Sequence, residues 1–345
     1  MGKHNIVLIT GGLGYIGAPT AYALSRMGFQ VVVFDSAHFY QSIPDPPAGG
    51  GTSFIPGIGK ENCMFIQGDI RNKNAFTLVM KKYQPGIVIH FAALTSATES
   101  EKQKALYVDT NVRGTKNVLG AMKTSGCNNL IFASSASVYG LVNNGLSEDS
   151  VVHPMHTYAS TKKEAEQIIQ EEAAIRWVIL RYFNVVGATK DGLFGEPIRK
   201  NPKLIPSALR VGLGLQKKLP IYGNDYPTPD GTAIRDYISL EDVVRSNIDA
   251  VRFMQKDNPS NIFNIGSGVG TSNLEAVHVV EKKLGKKIPI LLKNKRKEAI
   301  ISVANIKKAK KMLGWKPQCS SLPKIIDGLV SFQKNFINNR NSVRI

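Results

Sequence analysis

Tyr158 and Lys162 stand with three residues between them in Tyr-Ala-Ser-Thr-Lys. Four positions make about one helical turn, so on a helix both side chains share one face. A tyrosine phenol ordinarily titrates near ~10. An adjacent ammonium, and a cationic ring bound beside it, favour the phenolate and draw that value towards neutrality, where a general base works best. The spacing is that of a proton-abstracting pair. Ser135 ends the apolar run 129–133 and offers a hydroxyl that can bond the oxygen losing its proton. Ser134 beside it fits a strand-end turn.

A second constellation lies near the start. Residues 9–17 read Ile-Thr-Gly-Gly-Leu-Gly-Tyr-Ile-Gly. A continuous apolar run, 5–9, precedes them, as in a strand buried on both faces. Gly11, Gly14 and Gly17 then lead into a helical stretch, 18–27. Glycines between strand and helix allow a tight turn and let the backbone approach a pyrophosphate, which sits on the helix N-terminus. A second apolar run, 31–34, ends in Asp35, where an acid would accept bonds from an adenosine ribose and favour NAD over its 2′-phosphorylated form. A redox-cofactor cradle together with a proton-abstracting pair points to an enzyme rather than a binding module.

Both groups need a scaffold. Strand patterns at 63–67, 86–91, 130–134 and 175–182 alternate with helical patterns at 74–83, 102–122 and 156–172. Such alternation argues an α/β fold, a doubly wound parallel sheet. In open parallel sheets ligands bind outside the carboxyl ends of strands, where Ser135 falls. Residues 36–60, rich in Gly and Pro, form a long loop. After about residue 186 Gly and Pro become frequent and elements shorten, as in a smaller domain laid over the sheet. Leu240, Val243, Val244, Ile248 and Val251 recur at helical spacing, and 262–265 reads as a further buried strand. The expected division is 1–185 for the cofactor, rejoined by 236–266, and 186–345 for substrate. The tail 334–345 is polar and expected to fray.

The chain has 345 residues with 43% hydrophobic and 20% charged content, an ordinary globular composition. No apolar run approaches the ~20 residues of a membrane helix. Residues 3–4 are basic and precede an apolar stretch, but Gly11 and Gly12 break it, so it reads as a strand rather than a signal segment. Cys63, Cys127 and Cys319 are widely spaced, which suits a reducing, cytoplasmic setting and gives no metal-ligand spacing. The net charge is +18, and residues 281–316 concentrate it, with thirteen Lys or Arg against Glu281 and Glu298. Trp315 is the only aromatic there, too little for base stacking. A solvated face, or a field attracting an anionic substrate, fits better than a nucleic-acid arm.

Four blocks carry a resemblance. They are Thr10-Gly-Gly-Leu-Gly-Tyr-Ile-Gly17, Phe132-Ala-Ser-Ser-Ala-Ser-Val-Tyr-Gly140 with Tyr158 and Lys162, Arg181-Tyr-Phe-Asn-Val-Val-Gly-Ala188, and Gly223-Asn-Asp-Tyr-Pro-Thr-Pro-Asp-Gly-Thr-Ala-Ile-Arg-Asp-Tyr-Ile238. The chain resembles the extended short-chain dehydrogenase/reductase superfamily and, within it, the UDP-galactose (UDP-glucose) 4-epimerase family, from about residue 5 to about 316. The resemblance implies a Rossmann sheet with a smaller mixed α/β C-terminal domain, a tightly bound NAD, a UDP-sugar substrate and a homodimer. Tyr158 would be the base, Lys162 its partner and Ser135 the hydroxyl at the sugar oxygen. Gly11, Gly14, Tyr15, Ile16, Gly17, Asp35 and Tyr182 would contact the cofactor. Asp69 and Ile70 would flank the adenine, Phe91 and Ala92 would line the cleft, and Asn111 would support the site. Asn184 would hold the diphosphate or sugar, Leu204 and Tyr222 would line the uracil pocket, and Arg235 would grip the diphosphate with a fork that matches phosphate geometry. Hydride would leave carbon 4 for NAD⁺, a 4-keto sugar would rotate about its diphosphate link, and hydride would return to the other face.

Departures from the family pattern narrow the expectation. Relatives that dehydrate or decarboxylate nucleotide sugars carry an acid just after the strand-end hydroxyl residue. Ala136 and Ser137 occupy those positions, which favours plain epimerisation. Thr95 replaces a lysine and Ser239 a histidine. Asn294-Lys-Arg-Lys-Glu298 replaces an Arg-Arg-x-Gly-Asp block, so Lys295 or Arg296 would complete the clamp, with Glu298 on the ribose. Ser302 falls where many relatives have tyrosine beside the sugar 2-substituent, and so leaves room for an N-acetyl group. The rival expectations are 4-epimerisation of another nucleotide sugar such as UDP-glucuronate, and a non-catalytic NAD-binding sensor.

Overall fold

The computed structural model describes residues 5–37, 58, 62–141, 145–196 and 203–342, with side chains as far as 335. Most of the loop expected at 36–60 lies outside the described residues.

Seven parallel strands form the main sheet: β1 (Ile6–Thr10), β2 (Gln30–Asp35), β3 (Cys63–Gln67), β4 (Ile87–His90), β5 (Asn129–Ser135), β6 (Arg176–Tyr182) and β10 (Asn261–Ile265). Their order is β3-β2-β1-β4-β5-β6-β10. The strand order reverses between β1 and β4, and a ligand crevice opens at the carboxyl ends of such a pair. Alternate residues of each strand feed opposite faces. Val7, Ile9, Val31 and Val33 pack with α1 (Gly17–Arg26) and α6 (Leu240–Gln255). Leu8, Val32, Val88 and Leu130 pack with α2 (Lys73–Tyr83), α3 (Gly114–Ser125) and α4 (Thr157–Gln170). Burial on both faces is why these strands read as continuous apolar runs rather than alternating ones.

Residues 102–122, expected as one helix, are subdivided. The run comprises Lys104–Val108, a π-helical turn at Asp109–Arg113, and α3, with a separate turn of helix at Ala97–Ser100 before it. A π turn widens the helix by one residue and commonly marks a functional site. Here it carries Asn111.

The second layer holds strands that the pattern did not announce. These are β7 (Asn184–Val186), β8 (Leu219–Tyr222), β9 (Ile234–Ser239), β11 (Gly270–Ser272), β12 (Ile290–Lys293) and β13 (Ile301–Ser302). β9 pairs with β7, β11 and β13, and β8 pairs with β12. A third core joins them to α5 (Leu204–Gly212), α7 (Asn273–Leu284) and α8 (Leu322–Ser342). The tail expected to fray is corrected by α8, which runs through 334–342, because Ile325, Ile326, Leu329 and Val330 anchor its first turns in this core.

Asp242, fully buried on α6, ties the C-terminal segment to the main sheet. Its carboxylate accepts bonds from Gln318 N (2.9 Å), Cys319 N (2.9 Å) and Ser320 Oγ (2.5 Å). Its backbone carbonyl accepts from the Trp315 indole at 3.0 Å. Asp242→Ala would remove the common acceptor of three part-buried donors, so we expect a loss of about 3 kcal/mol in a urea unfolding experiment. A loss under about 0.5 kcal/mol, typical of plain surface changes, would refute this anchor.

Candidate active site

The glycine turn follows from close backbone packing. Gly11 has φ +69°, and a Cβ on it would stand 2.5 Å from the Ala92 nitrogen. A Cβ on Gly17 would stand 2.2 Å from the Gly11 carbonyl oxygen. Gly14 donates to that same carbonyl at 3.0 Å. Ile16 occupies the N-cap of α1, where no side chain closes the helix end and no acid lies in the first turn. An uncapped N-terminus beside a glycine turn is the form of an anion site. The Tyr15 phenol reaches over to Gly187 O at 2.9 Å, spanning from the turn to the loop after β7.

Asp35, at the end of β2, accepts from Leu13 N (3.0 Å) and Ala37 N (2.8 Å). Burial pushes its carboxyl above the usual value, and these two donors oppose the rise. Asp69 closes on Arg71 in an ion pair of 2.6 Å, and Ile70 is buried against Gly114. Phe91 and Ala92 both donate from their backbone to Thr10 O, which lays the chain after β4 across the end of β1. Asn111 locks the next stretch. Its amide accepts from Leu94 N (2.8 Å) and donates to Leu94 O (3.0 Å) and Thr161 Oγ1 (3.0 Å).

Tyr158, Lys162 and Ser135 are brought to one place at the end of β5. Tyr158 and Lys162 lie one turn apart on α4, and Ser135 ends β5. The Ser135 hydroxyl lies beside the Tyr158 phenol and favours its phenolate. His156 caps α4 through Ala159 N at 3.1 Å, and its ring stacks on Tyr158 at 5.9 Å and 6°. Lys162 is 3% exposed and donates to Ala133 O at 2.7 Å, with its ammonium 4.6 Å from the Phe132 ring centroid. Burial draws Lys162 down to about 7, while the Glu166 carboxylate pulls the other way. In the polypeptide itself, burial pushes the Tyr158 phenol above its ordinary value and the Ser135 hydroxyl opposes that. The lowering expected at Tyr158 is therefore outweighed by burial in the polypeptide alone. The adjacent Ser137 hydroxyl is buried and has no hydrogen-bond partner in the polypeptide.

The residues expected to hold substrate lie in the second layer, with Tyr182 at the edge of the main sheet. Tyr182 ends β6 opposite Ser135, with its phenol donating to Asn247 at 2.8 Å. Asn184 starts β7 and donates to Asp236 O at 3.1 Å. Leu204 begins α5 and Tyr222 ends β8. Arg235 donates to Glu298 (2.8 Å) and to Ala299 O (2.8 Å), and Ser302 is its register partner on β13. Arg296 lies over the Tyr222 ring, 3.3 Å from its centroid. Lys295 pairs with Asp225 at 2.8 Å beside an open hollow between residues 223–225 and 292–295. The sequence alone brought these residues to one site but paired none of them.

One departure acquires a physical reason. Ser239 is the N-cap of α6, accepting from Asp242 N at 3.0 Å, a position where serine excels. Trp315 is 1% exposed and so presents no ring for stacking. Among the described residues no group of three or more His, Cys, Asp or Glu could hold a metal ion, and no helix is long and apolar enough to cross a membrane.

Sequence reasoning missed a buried chain across the crevice. Thr115 Oγ1 donates to Asn111 O at 2.6 Å, so its hydroxyl can only accept from His90 Nε2 at 3.0 Å. His90 Nδ1 is then the unprotonated nitrogen, accepting from Thr10 Oγ1 at 2.7 Å. A lone histidine at a strand end gives no sequence signal for this. Glu166, one turn beyond Lys162, and Arg181, paired with it at 2.6 Å, were also missed.

Comparison with known proteins places this geometry in context. Residues 7–266 match the model of the NAD dependent epimerase/dehydratase family. A rice protein named UDP-glucose 4-epimerase 3 is 39% identical over 319 residues, covering 90% of this chain and 84% of its own. The crystal structure of a UDP-glucose-4-epimerase from Stenotrophomonas maltophila, with bound NAD and formylated UDP-arabinopyranose, superposes with a TM-score of 0.89. It is 34% identical and covers 97% of this chain and 100% of that one. A UDP-glucose 4-epimerase from Bifidobacterium longum, in complex with NAD⁺ and UDP, gives 0.85 at 31% identity, with 96% and 99% coverage.

Burial pulls His90 down to about 3, well below an unfolded histidine at about 6.5. Between those values the unfolded chain binds a proton that the folded one does not, so this group's stability is intact above about pH 6.5 and lost as pH falls towards 3. We expect the His90 ring to stay neutral from pH 8 to pH 5 by nitrogen NMR. An imidazolium signal at pH 5 in the folded protein would refute the assigned tautomer.

Proposed function

The chain belongs to the NAD dependent epimerase/dehydratase family, and from that premise we propose that it is an NAD-dependent UDP-hexose 4-epimerase, interconverting UDP-glucose and UDP-galactose. One observation carries the reading. Ser135, Tyr158 and Lys162 meet at the carboxyl end of β5, and the residues that follow, Ala136 and Ser137, bring no acid to drive elimination.

The residues present fit the cofactor. The uncapped start of α1 and the glycine turn suit its pyrophosphate, and Asp35, Asp69, Ile70, Phe91, Ala92, Asn111 and Tyr182 would surround the rest. When bound, NAD supplies a reversible hydride acceptor for carbon 4 and a positive ring beside Tyr158. Tyr158 takes the proton from the sugar 4-hydroxyl and Ser135 holds that oxygen. Lys162, fixed to Ala133 O, stabilises the phenolate. Tyr158 would then return the proton to that oxygen when carbon 4 is reduced again, so the net oxidation is zero.

In the same reading Asn184, Leu204 and Tyr222 hold the uridine diphosphate with the Arg235–Glu298 pair, and Lys295 and Arg296 add cations to the diphosphate. Ser302 beside Arg235 leaves room at the sugar 2-position, which extends the substrates to UDP-GlcNAc and UDP-GalNAc. The cofactor part is 1–185 with 236–266, and the substrate part 186–345. A cytoplasmic homodimer, joined through the α3 and α4 regions as a four-helix bundle, completes the reading.

The purified protein, given UDP-galactose, UDP-GalNAc or UDP-glucuronate with no added NAD, should convert the first two to their 4-epimers. Turnover of UDP-glucuronate alone, or of none of the three by protein shown to contain NAD, would overturn the proposal. Tyr158→Phe should lower kcat by roughly 10²–10⁴ with little change in KM; an undiminished kcat would remove Tyr158 from its role. Ser302→Tyr should retain UDP-galactose turnover and lose that of UDP-GalNAc, and equal loss of both would sink the assignment of Ser302.

A further inference from the structure

Two consecutive residues of β5 bond two successive turns of α4, beside the contact of Ser135 with Tyr158 one turn earlier. Ser135 meets Tyr158, Ala133 O receives Lys162 Nζ at 2.7 Å, and Ser134 Oγ donates to Glu166 Oε1 at 2.5 Å. Arg181 on β6, register partner of Ser134, grips both Glu166 oxygens, Nε to Oε1 at 3.0 Å and Nη2 to Oε2 at 2.6 Å. Glu166 is 2% exposed and Arg181 3%. The Arg181 Nη1 continues to the Tyr139 hydroxyl at 2.9 Å, which donates to Asn264 Oδ1 on β10 at 2.8 Å.

We infer that Glu166 is a positioning residue for the reaction: its carboxylate fixes the height of α4 on β5 and its charge keeps Lys162 a cation. The inference rests on the epimerase reading, in which Lys162 must be protonated while Tyr158 is not. Structural burial alone does not require an anion here, since replacing a buried pair by apolar side chains is often neutral or stabilising. The placement of this pair, one turn below Lys162 and bonded to the residue between Ala133 and Ser135, gives it a task that apolar packing could not perform.

The groups facing Lys162 set the sign. From its own helix come Tyr158 and Glu166, from the end of β4 comes His90, kept neutral by burial, and from β6 comes Arg181. Burial draws Lys162 down to about 7, with Glu166 the opposing influence. Removing the Glu166 charge leaves burial and the unpaired Arg181 cation acting together, so Lys162 loses its proton at lower pH. Removing Arg181 leaves Glu166 unopposed and acts the other way.

The test is kcat of NAD-loaded protein on saturating UDP-galactose across about pH 6 to 10. Glu166→Gln should move the falling alkaline limb down by about one pH unit, a roughly tenfold loss above the limb. Arg181→Gln should move the limb up. Glu166→Asp, which keeps the charge but shortens the reach to Ser134 and Arg181, should lower kcat at every pH and leave the limb in place. A limb shared by Glu166→Gln and the unsubstituted protein would overturn the inference, as would a limb moved equally by Gln and Asp. If Glu166→Gln does not fold, Arg181→Gln decides, and an unmoved or lowered limb refutes the proposal. Absence of turnover by the unsubstituted, NAD-containing protein would instead fail the epimerase reading itself.

Discussion

A buried ammonium held by one backbone carbonyl is the constraint from which the centre of this site is built. Lys162 has three donors, and Ala133 O takes one of them at 2.7 Å. An unpaired buried charge costs several kcal/mol, so the fold must supply compensation within reach. The Phe132 ring face at 4.6 Å offers a cation–π contact, and Glu166 one turn on offers an opposite charge. Arginine could not serve in the same place, because its guanidinium does not titrate and would not fit a single carbonyl. A group poised near neutrality, and thus sensitive to every neighbouring charge, follows from burying a lysine.

The same economy appears at the crevice between β1 and β4, solved without charge. His90 lies 1% exposed between two threonines, and the proton direction along Thr10, His90, Thr115 and Asn111 is dictated at one end by the Asn111 carbonyl. Such a chain ties the ends of two strands where the strand order reverses. Asn111 then carries the tie into the loop after β4 and onto Thr161 of α4. The wide π turn at Asp109–Arg113 is the backbone cost of placing that amide inward. The cofactor crevice and the proton-handling helix are thereby one rigid unit.

The main sheet was legible in the sequence because its strands are local apolar runs, the central ones buried on both faces, each between a helical pattern and a turn. The glycine turn, Asp35 and the Tyr158–Lys162 pair were legible for the same reason, since their spacing along the chain is their spacing in space. The second layer was not. β7, β9, β11 and β13 are two to six residues long, and β13 pairs with β9 across more than sixty positions, so no window contains the pattern. Glu166, Arg181 and His90 were hidden because a charged or polar residue in a helix or strand normally faces solvent. Only the pairing partners, remote in sequence, reveal that these three are inside. The fraying expected of the polar tail failed because apolar anchors early in α8 outweigh its composition.

The two halves of the site differ in how their charges are spent. In the sheet, Lys162 and Glu166 are dry and constrained on several sides. In the second layer, Arg235 holds Glu298 and the Ala299 carbonyl, and Lys295 reaches Asp225 from solvent. Pairs of the second kind are weak individually, and their cations exchange partners at low cost. A diphosphate, with more charge than a carboxylate and a geometry matched to the guanidinium fork, competes well for them. Arg296 over the Tyr222 ring extends the principle, because a guanidinium can leave an aromatic face for an anion and so expose the ring to a base. Under the proposed epimerase reading, rigid charge at the base and exchangeable charge at the diphosphate would be the division of labour that a catalyst with a fixed base and a rotating sugar requires.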